Sequence, residues 1–301
     1  MKVAVTGSSG LIGSALVPAL QADGHQVLRL VRRTPRTADE HRWDPSHHQL
    51  DPTLLRDVDA VVNLAGVGIG DRRWTRRYRQ EVLASRIDST ATISEGLAEA
   101  AADDPDRPRV LLSGSAVGFY GDTGKRPVDE RDPAGAGFLA DVCRQWEGAT
   151  SLAQDAGVRV ALLRTGLVLA RGGLMKRIRP LFQAGLGGRL GSGQQYWPWI
   201  SLTDEVDAIR FLLTSGVSGP VDLTGPEPVT NAEFTAVLAR LVHRPAVLPV
   251  PPVALRLALG NFAQEGVLAG QRALPQALTD AGFRHTHPDL ESALRAALLR
   301  S

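Results

Sequence analysis

The chain has 301 residues, which is enough for one large domain or two modest ones. Its 34 basic and 32 acidic residues leave a net charge of +2, and 43% of the residues are hydrophobic. This composition excludes a disordered chain and a dedicated polyanion binder. The single cysteine, Cys143, excludes an internal disulfide and favours a reducing compartment.

Neither a targeting signal nor a membrane span is recognisable. The opening apolar run reaches Gly7 too soon for the core of a signal peptide. No stretch comes near the ~20 apolar residues that a membrane span needs. We therefore expect a soluble cytoplasmic protein without a membrane partner.

The N-terminal half alternates short, nearly all-apolar segments with longer amphipathic ones. This alternation is typical of a parallel sheet with crossover helices on both faces, so we predict an α/β fold with a doubly wound parallel sheet. The predicted strands are Lys2–Thr6, Gln26–Val31, Ala60–Leu64, Arg109–Ser113 and Val158–Arg164. The predicted helices lie near Leu11–Ala22, Thr75–Ala101 and Phe138–Asp155.

The pattern changes after the last of these strands. Residues 171–200 are rich in glycine and end in Trp-Pro-Trp, which favours loops around a pocket over a regular element. A further strand is predicted within 221–228, followed by a helix capped by Thr230 or Asn231. The predicted division is an α/β domain over 1–170, completed by about 200–230, and a smaller region over 171–200 and 231–301, with a C-terminal extension from about 248 to 301.

A glycine-rich turn follows the first predicted strand directly. In TGSSGLIG, Gly7, Gly10 and Gly13 are spaced GxxGxxG before a predicted helix. Glycines there allow a sharp turn and a close approach of a pyrophosphate to backbone N–H groups. Strand, turn and helix together favour a dinucleotide site over a purely structural turn. The residues expected to line it are Thr6, Gly7, Ser9, Gly10, Leu11, Ile12 and Gly13.

The end of the second predicted strand indicates which dinucleotide binds. NAD sites usually place an acidic residue about 20 residues after the glycines, on the ribose 2′-hydroxyl. Here Arg32 and Arg33 stand at that place, and no carboxylate comes before Asp39. Guanidinium groups pair bidentately with phosphate, so the sequence favours NADP(H), with both arginines on the 2′-phosphate. The alternative is that they only solvate an exposed strand end.

Several motifs resemble a known family. The glycine spacing and the NLAG motif that ends at Gly66 resemble the extended short-chain dehydrogenase/reductases. SGSAVGFYGD, FLADVCRQWE and RTGLVLARGGL are similar to an atypical branch of the NAD(P)-dependent epimerase/dehydratase proteins, the epimerase-family or cell-division-inhibitor-like proteins, which carry a short C-terminal extension of unknown function. The resemblance implies a Rossmann fold that binds NADP (NADPH). The further cofactor contacts expected are Leu64, Ala65, Gly66, Arg86 and Ser113.

The catalytic pair of that family is missing. Its members use a Tyr–x–x–x–Lys pair to relay a proton, but no tyrosine of this chain has a lysine four residues later. Phe138 and Val142 stand where the pair is expected. Ser115 best matches the family's catalytic serine, and Tyr120 is a second candidate unless it only packs. The histidines show no spacing with cysteine or carboxylates that would predict a metal site.

Two functions remain open at this point. One is an NADP(H)-dependent oxidoreductase or epimerase-like enzyme acting on a small carbonyl, hydroxyl or nucleotide-sugar-like substrate. The other is a catalytically silent NADP(H)-binding sensor or scaffold. We expect a small-molecule substrate, no nucleic-acid partner, and a monomer or homodimer.

Overall fold

A computed structural model describes residues 1–298 and divides the chain into two compact units. Unit 1 comprises Met1–Ser115, Val142–Leu163 and Ile209–Pro220. Unit 2 comprises Ala116–Asp141, Arg164–Ala208 and the chain from Val221 onward. Residues 116–141, which the sequence left within the N-terminal domain, thus belong to unit 2.

The strands and helices are as follows, in chain order. The strands are β1 (Lys2–Thr6), β2 (Gln26–Val31), β3 (Glu40–Arg42), β4 (Ala60–Asn63), β5 (Val110–Ala116), β6 (Pro127–Val128), β7 (Arg159–Thr165), β8 (Leu167–Leu169), β9 (Tyr196–Trp197), β10 (Trp199–Ser201), β11 (Gly219–Leu223), β12 (Val229–Thr230) and β13 (Arg272–Ala273). The helices are α1 (Gly13–Ala22), α2 (Thr53–Arg56), α3 (Arg76–Asp103), α4 (Phe138–Gly148), α5 (Ser151–Asp155), α6 (Gly173–Gln183), α7 (Leu202–Thr214), α8 (Asn231–Leu241), α9 (Pro252–Leu259), α10 (Gln276–Asp280) and α11 (Leu290–Leu298).

The main sheet has seven strands in the order β11-β7-β5-β4-β1-β2-β3. The ladders that join β3 to β2, β2 to β1, β1 to β4 and β4 to β5 are parallel. Because β1 lies between β2 and β4, the strand order reverses beside β1, and ligands of doubly wound sheets bind at that reversal. The predicted doubly wound parallel sheet is confirmed.

The core of unit 1 packs helices against nearly all-apolar strands. The strand residues Val61 and Leu111 are fully buried, as are Ile93 and Leu97 one turn apart on α3. The Thr75 hydroxyl caps the start of α3 by accepting a hydrogen bond from a backbone amide, close to where the sequence predicted this helix to begin. Burial of both sheet faces explains the lack of polar alternation in the strands.

The prediction of loops over residues 171–200 is wrong for its first part, which forms helix α6. Met175 and Phe182 are seven residues apart and buried, and Ile178 packs against the same cluster. This spacing places one apolar face toward the core of unit 2, which holds the helix despite its short length. Glycines flank the helix on both sides, and their number made the sequence resemble a loop although the apolar spacing of a helix is present.

Unit 2 has a core of its own, built from α6, α8 and α11. Phe234 and Leu294 lie in this cluster, with Trp199 from β10. Helix α8 begins with a capping box in which the Thr230 hydroxyl and the Glu233 carboxylate each bind the other's backbone amide. The structure therefore selects Thr230 over Asn231 as the cap.

Candidate cofactor site and active site

The glycine turn between β1 and α1 leaves no room for side chains. Gly7 has φ +63°, and a Cβ placed on it would lie 2.6 Å from the carbonyl oxygen of Leu64. A Cβ on Gly13 would lie 2.3 Å from the carbonyl oxygen of Gly7. Backbone alone forms the surface at these two positions, and the first turn of α1 carries no acidic residue. The turn thus fits a pyrophosphate at a helix N-terminus.

The Thr6 hydroxyl joins this turn to the loop after β4. It donates to Asn63 Oδ1 at 2.6 Å and accepts from the amides of Leu64 at 3.0 Å and Ala65 at 3.1 Å. The three groups saturate a hydroxyl that is fully buried. Leu64 and Ala65 are therefore held against the glycine turn, as a shared cofactor site requires.

A second buried network aligns α3 and α4 with the strands. The Thr90 hydroxyl accepts from Asn63 Nδ2 and from Trp146 Nε1, both at 2.9 Å. A Cβ on Gly114 would lie 2.7 Å from the ring of Trp146. Glycine in β5 therefore lets the indole lie directly on the strand between the two candidate serines.

Arg86 on α3 supports the loop that follows NLAG. Its Nη1 donates to the carbonyls of Val67 at 2.9 Å and Val82 at 3.0 Å. Its guanidinium carbon lies 5.0 Å from the centre of the Trp146 ring. Burial lowers the pKa of Arg86. The structure brings this predicted cofactor residue beside Gly66, whose added Cβ would lie 3.4 Å from the guanidinium carbon.

The two arginines after β2 differ in their surroundings. Both are exposed to solvent, but Arg33 donates from both terminal nitrogens to Glu40, at 2.6 and 2.7 Å. The Glu40 carboxylate also accepts from the Arg36 amide at 2.7 Å. The bond from Arg33 lowers the pKa of Glu40 to about 2. Glu40 thus fixes the direction of Arg33, and sequence reasoning missed it because a loop separates the two residues.

Two serines end β5 on one face of the strand, since they are two residues apart. Ser115 Oγ donates to Glu147 Oε1 at 2.6 Å, and Ser115 itself is 4% exposed. Glu147 lies on α4 and is half-buried. Ser113 Oγ is buried without a hydrogen-bond partner among residues 1–298. Sequence reasoning found both serines but missed Glu147, which no local motif distinguishes.

Tyr120 lies in a closed polar cluster of unit 2. Its hydroxyl donates to the Asp222 carboxylate at 2.9 Å and accepts from Arg164 Nη1 at 3.0 Å. All three residues are buried. Burial and the neighbouring Asp222 raise the pKa of Tyr120, and burial raises that of Asp222. These contacts favour the packing alternative for Tyr120 over proton transfer.

The positions where the family's Tyr and Lys are expected lie on α4. Phe138 begins this helix, and Val142 is buried within it beside Cys143. Neither Phe138 nor Val142 can relay a proton as the family's Tyr and Lys do. Over residues 1–298, no three His, Cys, Asp or Glu side chains come together as metal ligands, and no helix there is long and apolar enough to cross a membrane.

The reversal of strand order, the glycine turn and the polar groups at the ends of β1, β4 and β5 define a dinucleotide-binding protein of the short-chain dehydrogenase/reductase type. The chain belongs to the NAD dependent epimerase/dehydratase family, whose model matches residues 3–223. A second model, a domain of unknown function (DUF1731), matches residues 250–297, within the predicted C-terminal extension. The predicted family is confirmed.

Named relatives cover nearly the whole chain. Epimerase family protein MT2273 of Mycobacterium tuberculosis is 53% identical over 99% of this chain and 98% of its own. Epimerase family protein SDR39U1 of Homo sapiens is 33% identical over 98% of this chain and 99% of its own. Both carry a family name that states no substrate.

Solved structures agree with the fold. Human SDR39U1 (isoform 2), crystallised with NADPH, is 30% identical, has a TM-score of 0.86, and is matched over 99% of this chain and 100% of its own. A nucleoside-diphosphate sugar epimerase from Corynebacterium glutamicum is 35% identical with a TM-score of 0.81, over 99% of this chain and 58% of its own. MoeE5, solved with UDP-glucuronic acid and NAD, is 22% identical with a TM-score of 0.78 over 98% of this chain and 97% of its own, and shows the fold alone.

Proposed function

We propose that this protein is a cytoplasmic, NADP(H)-dependent oxidoreductase or epimerase-like enzyme that acts on a small carbonyl, hydroxyl or nucleotide-sugar-like substrate. The contact between Ser115 and Glu147 carries the proposal, because it supplies a proton path where the family's Tyr and Lys are absent. The glycine turn, the loop at Leu64 and Ala65, and Arg86 lie in the same unit as this pair.

NADP(H) is the cofactor that the strand end after β2 favours. Arg33 is oriented by Glu40, and Arg32 is exposed beside it. A guanidinium held in one direction loses less side-chain freedom when it binds a phosphate. The NADPH in the human SDR39U1 crystal supports this choice.

The proton path follows from the direction of one hydrogen bond. A hydroxyl has one hydrogen and two lone pairs, and the Ser115 hydrogen points to Glu147. Ser115 Oγ can therefore accept a hydrogen bond from a substrate hydroxyl. When that hydroxyl is oxidised, its proton moves to Ser115 Oγ while the serine proton moves to Glu147; reduction of a carbonyl reverses both transfers. Bound NADP(H) supplies the hydride exchange with the substrate carbon.

A silent sensor or scaffold is the second candidate. The hydrogen bonds of the Tyr120 hydroxyl to Asp222 and from Arg164 favour it, since they hold this hydroxyl inside a closed cluster and not at a substrate. In that case the dinucleotide would bind without turnover, and the Ser115 contact would only fasten α4 to β5.

Titration of the protein with NADPH and NADH, followed by a panel of aldehydes, ketones, quinones and nucleotide sugars with analysis of epimeric products, separates these functions. We expect tighter binding of NADPH and oxidation that depends on one class of carbonyl. Glu147→Gln should keep the NADPH Kd within about twofold and lower turnover by at least about 100-fold, the usual contribution of general acid–base catalysis.

The matched control is Glu99→Gln, which changes an exposed glutamate on α3 of the same unit. It should leave both Kd and turnover unchanged. Tight NADPH binding without turnover on the whole panel would establish the sensor instead. Absence of binding to either dinucleotide would refute both functions.

A further inference from the structure

Unit 2 contains two segments with basic residues and no acidic ones. Residues 171–203 and 241–264 hold seven arginines and lysines and no Asp or Glu. The rest of the chain holds the other 27 basic residues and all 32 acidic ones. The near-neutral total therefore hides a local excess of positive charge. The seven residues are Arg171, Lys176, Arg177, Arg179, Arg189, Arg244 and Arg256.

The two segments lie side by side. The amide of Val250 donates to the carbonyl of Arg189 at 2.8 Å, and the amide of Gly191 donates to the carbonyl of Val250 at 2.9 Å. Arg244 Nε donates to the carbonyl of Gln183 at 3.2 Å. These bonds place residues 183–191 beside residues 244–250, so that Arg189 and Arg244 lie in one region of unit 2, with α9 following directly along the chain.

The same segments expose aliphatic side chains. Among residues 1–298, they supply six of the eight exposed large hydrophobic side chains, and each of the six is more than half exposed. On α9, Val253 and Leu257 lie one turn apart on the outer face, whereas Leu255 is buried. The six residues, none of them aromatic, are Leu181, Leu186, Val247, Leu248, Val253 and Leu257. These six residues, with the exposed Arg189, Arg244 and Arg256, form what we call the aliphatic-basic face.

We propose that the aliphatic-basic face binds the surface of an anionic lipid bilayer. Exposed aliphatic side chains among arginines and lysines are the combination that inserts at the boundary of headgroups and acyl chains. The hot spots of protein interfaces are instead poor in Leu and Val, which are the residues that this face exposes. A second copy of the chain would place like charges opposite one another.

Peripheral binding of this kind needs no spanning helix. It is therefore compatible with the lack of such a helix in residues 1–298. It departs from the expectation drawn from the sequence, which excluded a membrane partner because no segment is long enough to span.

Vesicle sedimentation with the full-length protein tests the proposal. Vesicles of phosphatidylcholine with 30% phosphatidylglycerol should bind the protein, and vesicles of phosphatidylcholine alone should bind at least about tenfold less, since each basic residue near the surface contributes roughly fivefold. Leu257→Asp should weaken binding to the anionic vesicles by at least about tenfold. Arg256→Glu should weaken it by at least about fivefold.

Two control variants lie in unit 1. Leu152→Asp changes another exposed leucine, and Arg56→Glu changes another exposed arginine. Both should bind anionic vesicles like the parent protein, and all four variants should keep the parent Tm. Equal loss in the controls, or equal binding to neutral vesicles, would overturn the proposal.

Two further results would also overturn it and name a different occupant. The first is a concentration-dependent dimer that Leu257→Asp abolishes, in the absence of lipid binding. The second is binding to polyglutamate, lost in Arg256→Glu, without binding to anionic vesicles, which would indicate an acidic protein.

Discussion

Each unit contains a hydroxyl hydrogen-bonded to a carboxylate, and the two pairs differ in their surroundings. In unit 1, Ser115 donates to Glu147 at 2.6 Å, and the carboxylate is half-buried. In unit 2, Tyr120 donates to Asp222 at 2.9 Å, and both side chains are buried with Arg164. A carboxylate that reaches solvent can exchange its proton, whereas one closed in with a cation mainly fastens the fold. The same contact therefore suits catalysis in one unit and stability in the other.

Removing the buried carboxylate should have the largest effect. Asp222→Ala removes the acceptor of the Tyr120 hydroxyl and a negative charge near Arg164, which itself donates to that hydroxyl. We expect the free energy of unfolding to fall by about 3–5 kcal/mol, the usual result of breaking a buried charged cluster. Urea unfolding measures it. A loss below about 1 kcal/mol would show that the cluster does not stabilise the fold.

Removing each of the two hydroxyls in a separate variant distinguishes their roles. Ser115→Ala should lower turnover by about 100-fold with an unchanged NADPH Kd. Tyr120→Phe should leave turnover unchanged and lower the Tm, because it removes only a buried hydrogen bond. Steady-state kinetics and thermal melts of both variants decide it. Loss of turnover in Tyr120→Phe would restore the catalytic role that the sequence suggested for this residue.

Another buried carboxylate of unit 2, Glu205, extends the comparison to pH. Glu205 accepts from the Thr165 hydroxyl at 2.9 Å, and burial raises its pKa to about 8. Because the folded state holds this proton more tightly than the unfolded state, stability contributed by Glu205 is present at low pH and is lost as the pH rises toward 8. Between pH 6 and 8 the loss should be about 2 kcal/mol.

Glu205→Gln should remove this pH dependence, since glutamine is neutral throughout. Glu99→Gln, on an exposed site, should keep it. The measurement is the free energy of unfolding in urea at pH 6 and pH 8. Identical slopes in the parent protein and Glu205→Gln would show that Glu205 is ionised across this range.

The smallest effect is expected at Glu40, a carboxylate whose partner Arg33 is exposed. Glu40→Gln should loosen Arg33, which it binds with two hydrogen bonds, and weaken NADPH binding by about tenfold with little change for NADH. Paired titrations with the two dinucleotides measure this. Equal weakening for both would show that Arg33 does not contact the 2′-phosphate.

The sequence predicted best where the structure depends on neighbours along the chain. The glycine turn could be recognised because Gly7, Gly10 and Gly13 impose their geometry within a few residues. Ser115 could be found because strand ends in parallel sheets carry ligands. Glu147 could not, since it meets Ser115 only after a helix returns along the sheet. Asp222 is still more distant, as it is 102 residues from Tyr120.

The Thr6 hydroxyl limits which backbone amides can bind a phosphate. Leu64 and Ala65 already give their N–H groups to it, and the Gly10 N–H bonds the carbonyl of Gly7. Since each N–H donates one strong hydrogen bond, these three groups are not available to a phosphate oxygen. Recognition of the anionic centre of a dinucleotide thus falls to the remaining amides of the turn, and Leu64 and Ala65 serve as a wall of fixed shape.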